Sequence, residues 1–191
     1  KPEDYDSERF ELLRRCFEVD GEKVVGSLGI KPMPNGKSDV NSGWGISLNL
    51  LGANQGYPDG SPEQRKEILR EYMSWTHGMV YYLQNDPSVP QSTRKFYREW
   101  GLCKDEFKDT GGWPHQLYIR EARRMLGEQV LTQHDLMTHL RKYDCIGMAG
   151  YNIDIREVQW VALRTFYFPD VTDEVYMEGY LSHPVEPWDI P

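Results

Sequence analysis

Residues 61–85 constrain the fold more than any other stretch of this chain. Ser61 stands where a helix N-cap is wanted, and Pro62 suits the first helical position, where a missing N–H costs nothing. Gln64 can reach back to close a capping box. Ile68, Leu69, Tyr72, Met73, Thr76, Met79, Val80 and Leu83 then recur at the spacing of one helix with one inward stripe, and Asn85-Asp86-Pro87 ends it. So long a stripe needs elements to pack against. Its regularity, with ordinary charges on the opposite face, predicts a structural helix remote from chemistry.

The flanking segments supply those partners. Ser7 is placed to cap a helix with Phe10, Leu13 and Phe17 on one face, stopped at Asp20-Gly21. Residues 22–30 read as a strand or hairpin arm centred on Val24 and Val25. Residues 31–60, rich in Gly, Asn and Pro, read as an irregular but ordered loop, and loops of that length are usually functional. A second helix is expected from Pro90 to about Trp100, with Phe96 and Trp100 inward, Gly101 past its end, and a link short enough to pack it on the first.

Residues 116–131 fit neither period cleanly. Helix propensity favours the Arg-Glu-Ala-Arg-Arg-Met-Leu run, but Leu117-Tyr118-Ile119 and Gln129-Val130-Leu131-Thr132 around Gly127 incline the reading to strand. Asp135 is placed to cap a short helix through Arg141. Strands are expected at 153–158, 161–168 and 175–181, with a turn at Pro169-Asp170. The expected fold class is α+β, a helical first half packed on a mostly antiparallel sheet from the second half. It is read as one module over 1–191: helix, strand and irregular loop at 1–60, a helical pair at 61–110 and a β-rich part at 111–191.

Composition narrows the partners. A hydrophobic share of 39% with 13% aromatic residues is that of a globular chain. A formal charge of −8 argues against nucleic acid and anionic membranes as partners. No apolar run reaches spanning length. Cys16, Cys103 and Cys145 are isolated and form no C-x-x-C pair, so neither a disulfide framework nor a compartment follows.

Residues 111–135 set Trp113, Pro114, His115 and Tyr118 beside Arg120, Arg123 and Arg124, broken only by Glu121. Guanidinium groups at this density call for an anionic neighbour: a carboxylate, a cofactor phosphate or a substrate. The run resembles a segment of bacterial FAD-dependent oxidoreductases, some members of which carry the name xanthan lyase. Three further elements resemble the same family in the same order. They are Pro34-Asn35-Gly36-Lys37-Ser38-Asp39-Val40-Asn41, then Trp100-Gly101-Leu102 with Lys104-Asp105-Glu106-Phe107, then Asp144-Cys145-Ile146-Gly147-Met148 with Tyr151-Asn152-Ile153-Asp154. Together they cover residues 31–191.

The resemblance implies a cap or substrate-side module of a two-domain flavoprotein. FAD would be the cofactor, the rest of the flavin-binding domain a partner, and a small-molecule or saccharide-like substrate the other. The family's G-x-G-x-x-G turn between strand and helix does not occur between Lys1 and Pro191, since Gly43-Trp44-Gly45 lacks the third glycine. The chain therefore reads as the middle portion of such an enzyme, not expected to hold FAD alone. Relatives commonly carry histidine just after the Tyr-Asn-x-Asp element, where this chain has Ile155-Arg156-Glu157.

Each candidate has a functional and a structural reading. His115, as an imidazole able to give or take a proton, is a catalytic candidate with Tyr118, or a histidine that locks the Trp113-Pro114 turn. Arg120 and Arg124 are cofactor-binding candidates, or members of an ion-pair network with Glu121, Glu128 or Asp135. Asn152 and Asp154 share one side of a strand, with Tyr151 on the other, and suit recognition of hydroxyls; with Trp113 they are the substrate-binding candidates. His134 and His139 do not share a helical face, so no metal site is expected. Pro34-Asn35-Gly36-Lys37 lacks the glycine spacing of a phosphate loop and reads as a turn. The implied reaction is hydride transfer from a hydroxylated substrate to flavin. A carbohydrate-binding module stacking sugars on Trp44, Trp113 and Trp188, or a polysaccharide lyase, are the alternatives.

Overall fold

The computed structural model describes residues 1–22, 24, 30–40, 48–119, 123, 125–132, 134–135, 159–163 and 174–178. The chain divides into two compact units, Lys1–Ile119 and Arg120–Pro191. Helices dominate the first part and antiparallel strand pairs complete it, so the fold class is α+β.

In the first unit, a 3-10 turn at Ser7–Phe10 leads into α1 (Glu11–Asp20). Asp6, not Ser7, makes the cap, accepting from the Glu8 amide at 3.0 Å. The extra tight turn moves the first orphan amides one residue towards the N-terminus. Phe10, Leu13 and Phe17 are buried as their spacing predicts. Val24 is buried too, but in a turn after α1 rather than in a strand.

The chain then forms a hairpin where an irregular loop was expected: β1 (Ile30–Met33) pairs antiparallel with β2 (Lys37–Val40), Met33 opposite Lys37 and Ile30 opposite Val40. Pro34-Asn35-Gly36 is the turn, as read from sequence. Asn35 and Gly36 take φ of 63° and 68°, a left-handed conformation that asparagine tolerates and glycine adopts freely. Residues 48–60 are irregular but pinned. The Tyr72 hydroxyl donates to the Leu50 carbonyl at 3.1 Å, and the Arg65 guanidinium donates to the carbonyls of Tyr57 and Pro58.

Helix α2 (Pro62–Asn85) begins with the predicted capping box: the Gln64 amide donates to Ser61 Oγ at 3.2 Å, and the Ser61 amide to Gln64 Oε1 at 2.7 Å. Its deepest side chains are Met79, Tyr82 and Leu83. Tyr82 lies outside the predicted stripe, yet its ring is buried against Phe10 (centroids 5.4 Å apart) while its hydroxyl reaches Ser88 Oγ at 2.7 Å. Gly78 is buried because Phe10 crosses α2 at that point: a Cβ there would lie 2.9 Å from Phe10 Cζ.

Helix α3 (Gln91–Tyr97) is shorter than expected and turns Thr93 and Tyr97 inward, one helical turn apart, leaving Phe96 39% exposed. Two hydrogen bonds clamp it to α2, from the Gln84 amide to the carbonyls of Tyr97 (2.9 Å) and Trp100 (3.0 Å). A third runs back from Arg98 Nε to the Gln84 carbonyl. Burial pushes the Tyr97 phenol up to about 12.

In the second unit, β3 (Gln159–Leu163) and β4 (Glu174–Glu178) pair antiparallel, Gln159 opposite Glu178. Both overlap expected strands; the strand expected at 153–158 lies outside the described residues. The strand expected over 116–131 is absent among its described residues, where Met125 and Leu126 are almost fully exposed. Apolar residues that match neither period give a segment no face to bury. The Asp135 carboxylate accepts from the Thr132 amide (2.9 Å) and hydroxyl (2.7 Å), and the helix expected from Asp135 through Arg141 lies, beyond Asp135, outside the described residues. The Asp135 amide donates back to Thr132 Oγ1 at 3.4 Å, the reciprocal pattern of a capping box. No described helix is long and apolar enough to cross a membrane.

Candidate functional site

A half-open cavity of about 430 Å³ lies in the first unit, a volume suited to a small molecule. One wall is α2, where Thr76, His77, Val80, Tyr81 and Gln84 form a stripe beside the core stripe. The hairpin adds Ile30 and Val40, and Leu48 follows from the next segment. Trp100, Gly101 and Leu102, just beyond α3, close another side, and Trp113 completes the rim.

Trp113 arrives there because residues 107–113 curl tightly. The amides of Thr110 and Gly112 both donate to the Phe107 carbonyl, at 3.1 and 2.8 Å. Phe107, Gly111 and Gly112 all take left-handed φ, with Gly112 at 89° packed against Leu102. The chain thus doubles back and sets the Trp113 indole edge-on to the His77 imidazole, centroids 4.7 Å apart and planes at 62°.

The same curl places His115 Nε2 2.8 Å from Asp109 Oδ2, with the Phe107 ring across its face at 5.5 Å. The hydrogen bond from His115 holds the Asp109 carboxyl below the usual carboxylate range. Both groups are exposed, so the imidazole is oriented by its carboxylate and open to solvent. Nearby in sequence, Asp105 and Glu106 both pair with Lys37 of the hairpin, Asp105 at 3.1 Å. Hydrogen bonds to the two carboxylates raise the Lys37 ammonium above its ordinary value, Glu106 first. The Pro-Asn-Gly-Lys turn and the Lys-Asp-Glu-Phe element are therefore tied together through charge.

Of the site residues expected from sequence, the structure puts Trp113 in the cavity wall and His115 in an Asp-His pair. Tyr118 is 70% exposed and does not line the cavity. Arg120, Arg124, Tyr151, Asn152 and Asp154 lie outside the described residues, as do Trp44 and Trp188. Half-buried Trp113 serves as a cavity wall rather than an open stacking platform. Sequence reasoning missed His77, Tyr81 and Gln84, because attention to the apolar stripe assigned α2 a purely structural task. Their i, i+4, i+7 spacing was the available signal. Among the described residues no three His, Cys, Asp or Glu side chains cluster as metal ligands.

These features define a mixed α+β unit with an aromatic-walled small-molecule cavity. The model of the FAD dependent oxidoreductase family matches residues 1–191, and the chain belongs to that family. No curated protein and no solved structure matches it.

Family membership implies FAD, but the described residues do not fit its pyrophosphate. Such a group is held by amides at an open helix N-terminus behind a glycine turn. The N-terminus of α2, the longest described helix, is already closed by Ser61 and Gln64. The cavity offers aromatic and aliphatic surface instead, with no arginine or lysine among its lining residues.

Proposed function

We propose that this chain forms the substrate-side, cap portion of an FAD-dependent oxidoreductase, in which the cavity of the first unit receives a hydroxylated or saccharide-like substrate. The carrying observation is that family elements far apart in sequence supply walls of one cavity: Val40 from the first, Trp100, Gly101 and Leu102 from the second, and Trp113 from the third. A shared wall is a reason for such elements to occur together in one chain; a merely structural role would leave them free to bury separately.

The reaction expected of the holoprotein takes a hydride from a hydroxyl-bearing carbon and a proton from its oxygen, leaving a carbonyl. The flavin supplies the two-electron acceptor when bound by the rest of the flavin-binding domain. The part of this chain is to bind and orient the substrate and to keep water from it, which the apolar walls favour. His115, oriented by Asp109 but outside the residues that line the cavity, is the candidate to accept the proton, with Tyr118 three residues on, while His77 is the imidazole on the cavity wall itself. Asn152, Asp154 and Tyr151 belong to the same proposal as recognition groups, and Arg120 and Arg124 as partners of an anionic group.

The test is steady-state kinetics of the flavin-loaded holoprotein carrying Trp113→Leu or His77→Ala. Each should raise KM severalfold while flavin content and melting temperature stay at wild-type levels. Unchanged KM in both would end the cavity's claim to be the substrate site. The purified 191-residue chain, titrated with FAD, should show no salt-resistant stoichiometric binding; a yellow chain surviving high-salt gel filtration would overturn the cap assignment.

A further inference from the structure

The walls of the cavity also bear on what it can hold, on the premise that it is the substrate site. Ile30, Val40, Leu48 and Leu102 are aliphatic surface, backed by the buried Met79 and Leu83, and Trp100 and Trp113 add two indoles. Polar capacity is sparse and concentrated on one wall. The Gln84 amide nitrogen is already engaged by two carbonyls. The Tyr97 hydroxyl is buried out of reach of solvent, so that residue lends its ring rather than its oxygen. What is left on α2 is chiefly His77, held edge-on to Trp113, with Thr76 beside it, Tyr81 one turn on and the Gln84 side-chain oxygen, which can only accept.

A sugar ring carries a hydroxyl on nearly every carbon, and each one placed against aliphatic wall loses its water without gaining a partner. Every such loss weakens binding by about tenfold or more. A compact ring with a single hydroxyl meets this cavity differently. Its carbons cover the aliphatic and indole surface, and its oxygen needs only the His77 side. We propose that the cavity selects a ring-bearing monohydroxylated alcohol, read by His77 and enclosed by Trp100 and Trp113, and discriminates against polyhydroxylated sugars.

The experiment is ligand-observed NMR and calorimetric titration of the 191-residue chain, without flavin, using benzyl alcohol, cyclohexanol, toluene and methyl glucoside as probes. The two alcohols should bind saturably, with methyl glucoside weaker by at least about tenfold. The preference for benzyl alcohol over toluene should vanish in His77→Ala, and Thr76→Phe, which fills the wall, should abolish alcohol binding. Leu102→Trp fills the cavity from the rim and serves if Thr76→Phe melts early. Saturable binding of methyl glucoside at or above the affinity of the alcohols would overturn the proposal, as would absence of saturable alcohol binding by a folded chain. The cap assignment fails separately: alcohols that bind the chain but are never turned over by the holoprotein would leave the cavity selectivity standing and remove its place in the reaction.

Discussion

The helical core and the 101–119 loop belong to the same unit, yet different forces hold them. In the core, Phe10, Met79, Tyr82, Leu83 and Tyr97 are almost wholly removed from water, and aromatic packing fixes how the Ser7–Phe10 turn meets α2. In the loop, most side chains are exposed. Backbone hydrogen bonds to the Phe107 carbonyl, left-handed φ angles and the Asp109–His115 pair shape it instead. Burial gives the core its stability and leaves it little chemical freedom. The loop contributes little stability and holds polar groups in the open, where a ligand can meet them. Trp113 joins the two, since its indole touches α2 while its backbone belongs to the curl.

That contrast breaks first at Leu83. Leu83→Ala should cost about 2–5 kcal/mol, because the side chain is fully enclosed and its loss leaves a cavity. Met73, only half-buried, should cost clearly less on the same change. Denaturant titration of both variants measures the gap; equal losses would mean that the two sides of α2 are packed alike.

Gly78→Ala tests the close approach of the Ser7–Phe10 turn to α2. Helix propensity alone makes alanine the better residue by about 1 kcal/mol. The added Cβ would meet the Phe10 ring at 2.9 Å, and overpacking of this kind costs about 1–3 kcal/mol. Net destabilisation is expected. A rise in melting temperature would show that Phe10 can move aside.

A smaller effect belongs to the cap. Ser61→Ala removes one side of the box that starts α2 and should lower stability by about 0.5–2 kcal/mol, while the loop and the cavity keep their structure. Chemical-shift changes confined to the first turn of α2 would support this.

Acid should weaken the ion pairs of α1. Hydrogen bonds from Arg14 and then Arg15 bring the Glu11 carboxyl down to about 2 from an ordinary 4.5. A carboxyl with a lowered folded-state pKa stabilises above its unfolded value and loses that contribution as pH falls from about 4.5 towards 2. Glu11→Gln should therefore flatten the melting curve against pH in that window, and an unchanged slope would remove the pair from the account.

The smallest effect on stability is expected at His115. His115→Ala should leave the melting temperature within error of wild type, because both partners of the Asp109 pair are solvated. Turnover of the flavin-loaded holoprotein should fall at the same time. Loss of melting temperature with full turnover would make His115 a lock of the Trp113-Pro114 turn rather than a proton acceptor.

Local patterns in the sequence were enough for α1 and α2, because helix caps and helical stripes are written in adjacent residues. Ser61, Pro62, Gln64 and the Phe10-Leu13-Phe17 face needed nothing distant. Family membership was likewise legible, since it rests on ordered short elements. What they could not show was which apolar residues of a two-sided helix face the core. Tyr82 entered the core and Phe96 stayed out because Phe10, Thr93 and Tyr97 occupy particular places around α2. The cavity depended on tertiary structure throughout. Val40, His77 and Trp100 are separated by tens of residues, and with Leu102 and Trp113 they carry no common spacing. The β1–β2 hairpin, the α2–α3 clamp through Gln84 and the left-handed curl at Phe107, Gly111 and Gly112 bring them round one volume. Backbone direction at such turns is settled by long-range packing as much as by the residues that form them.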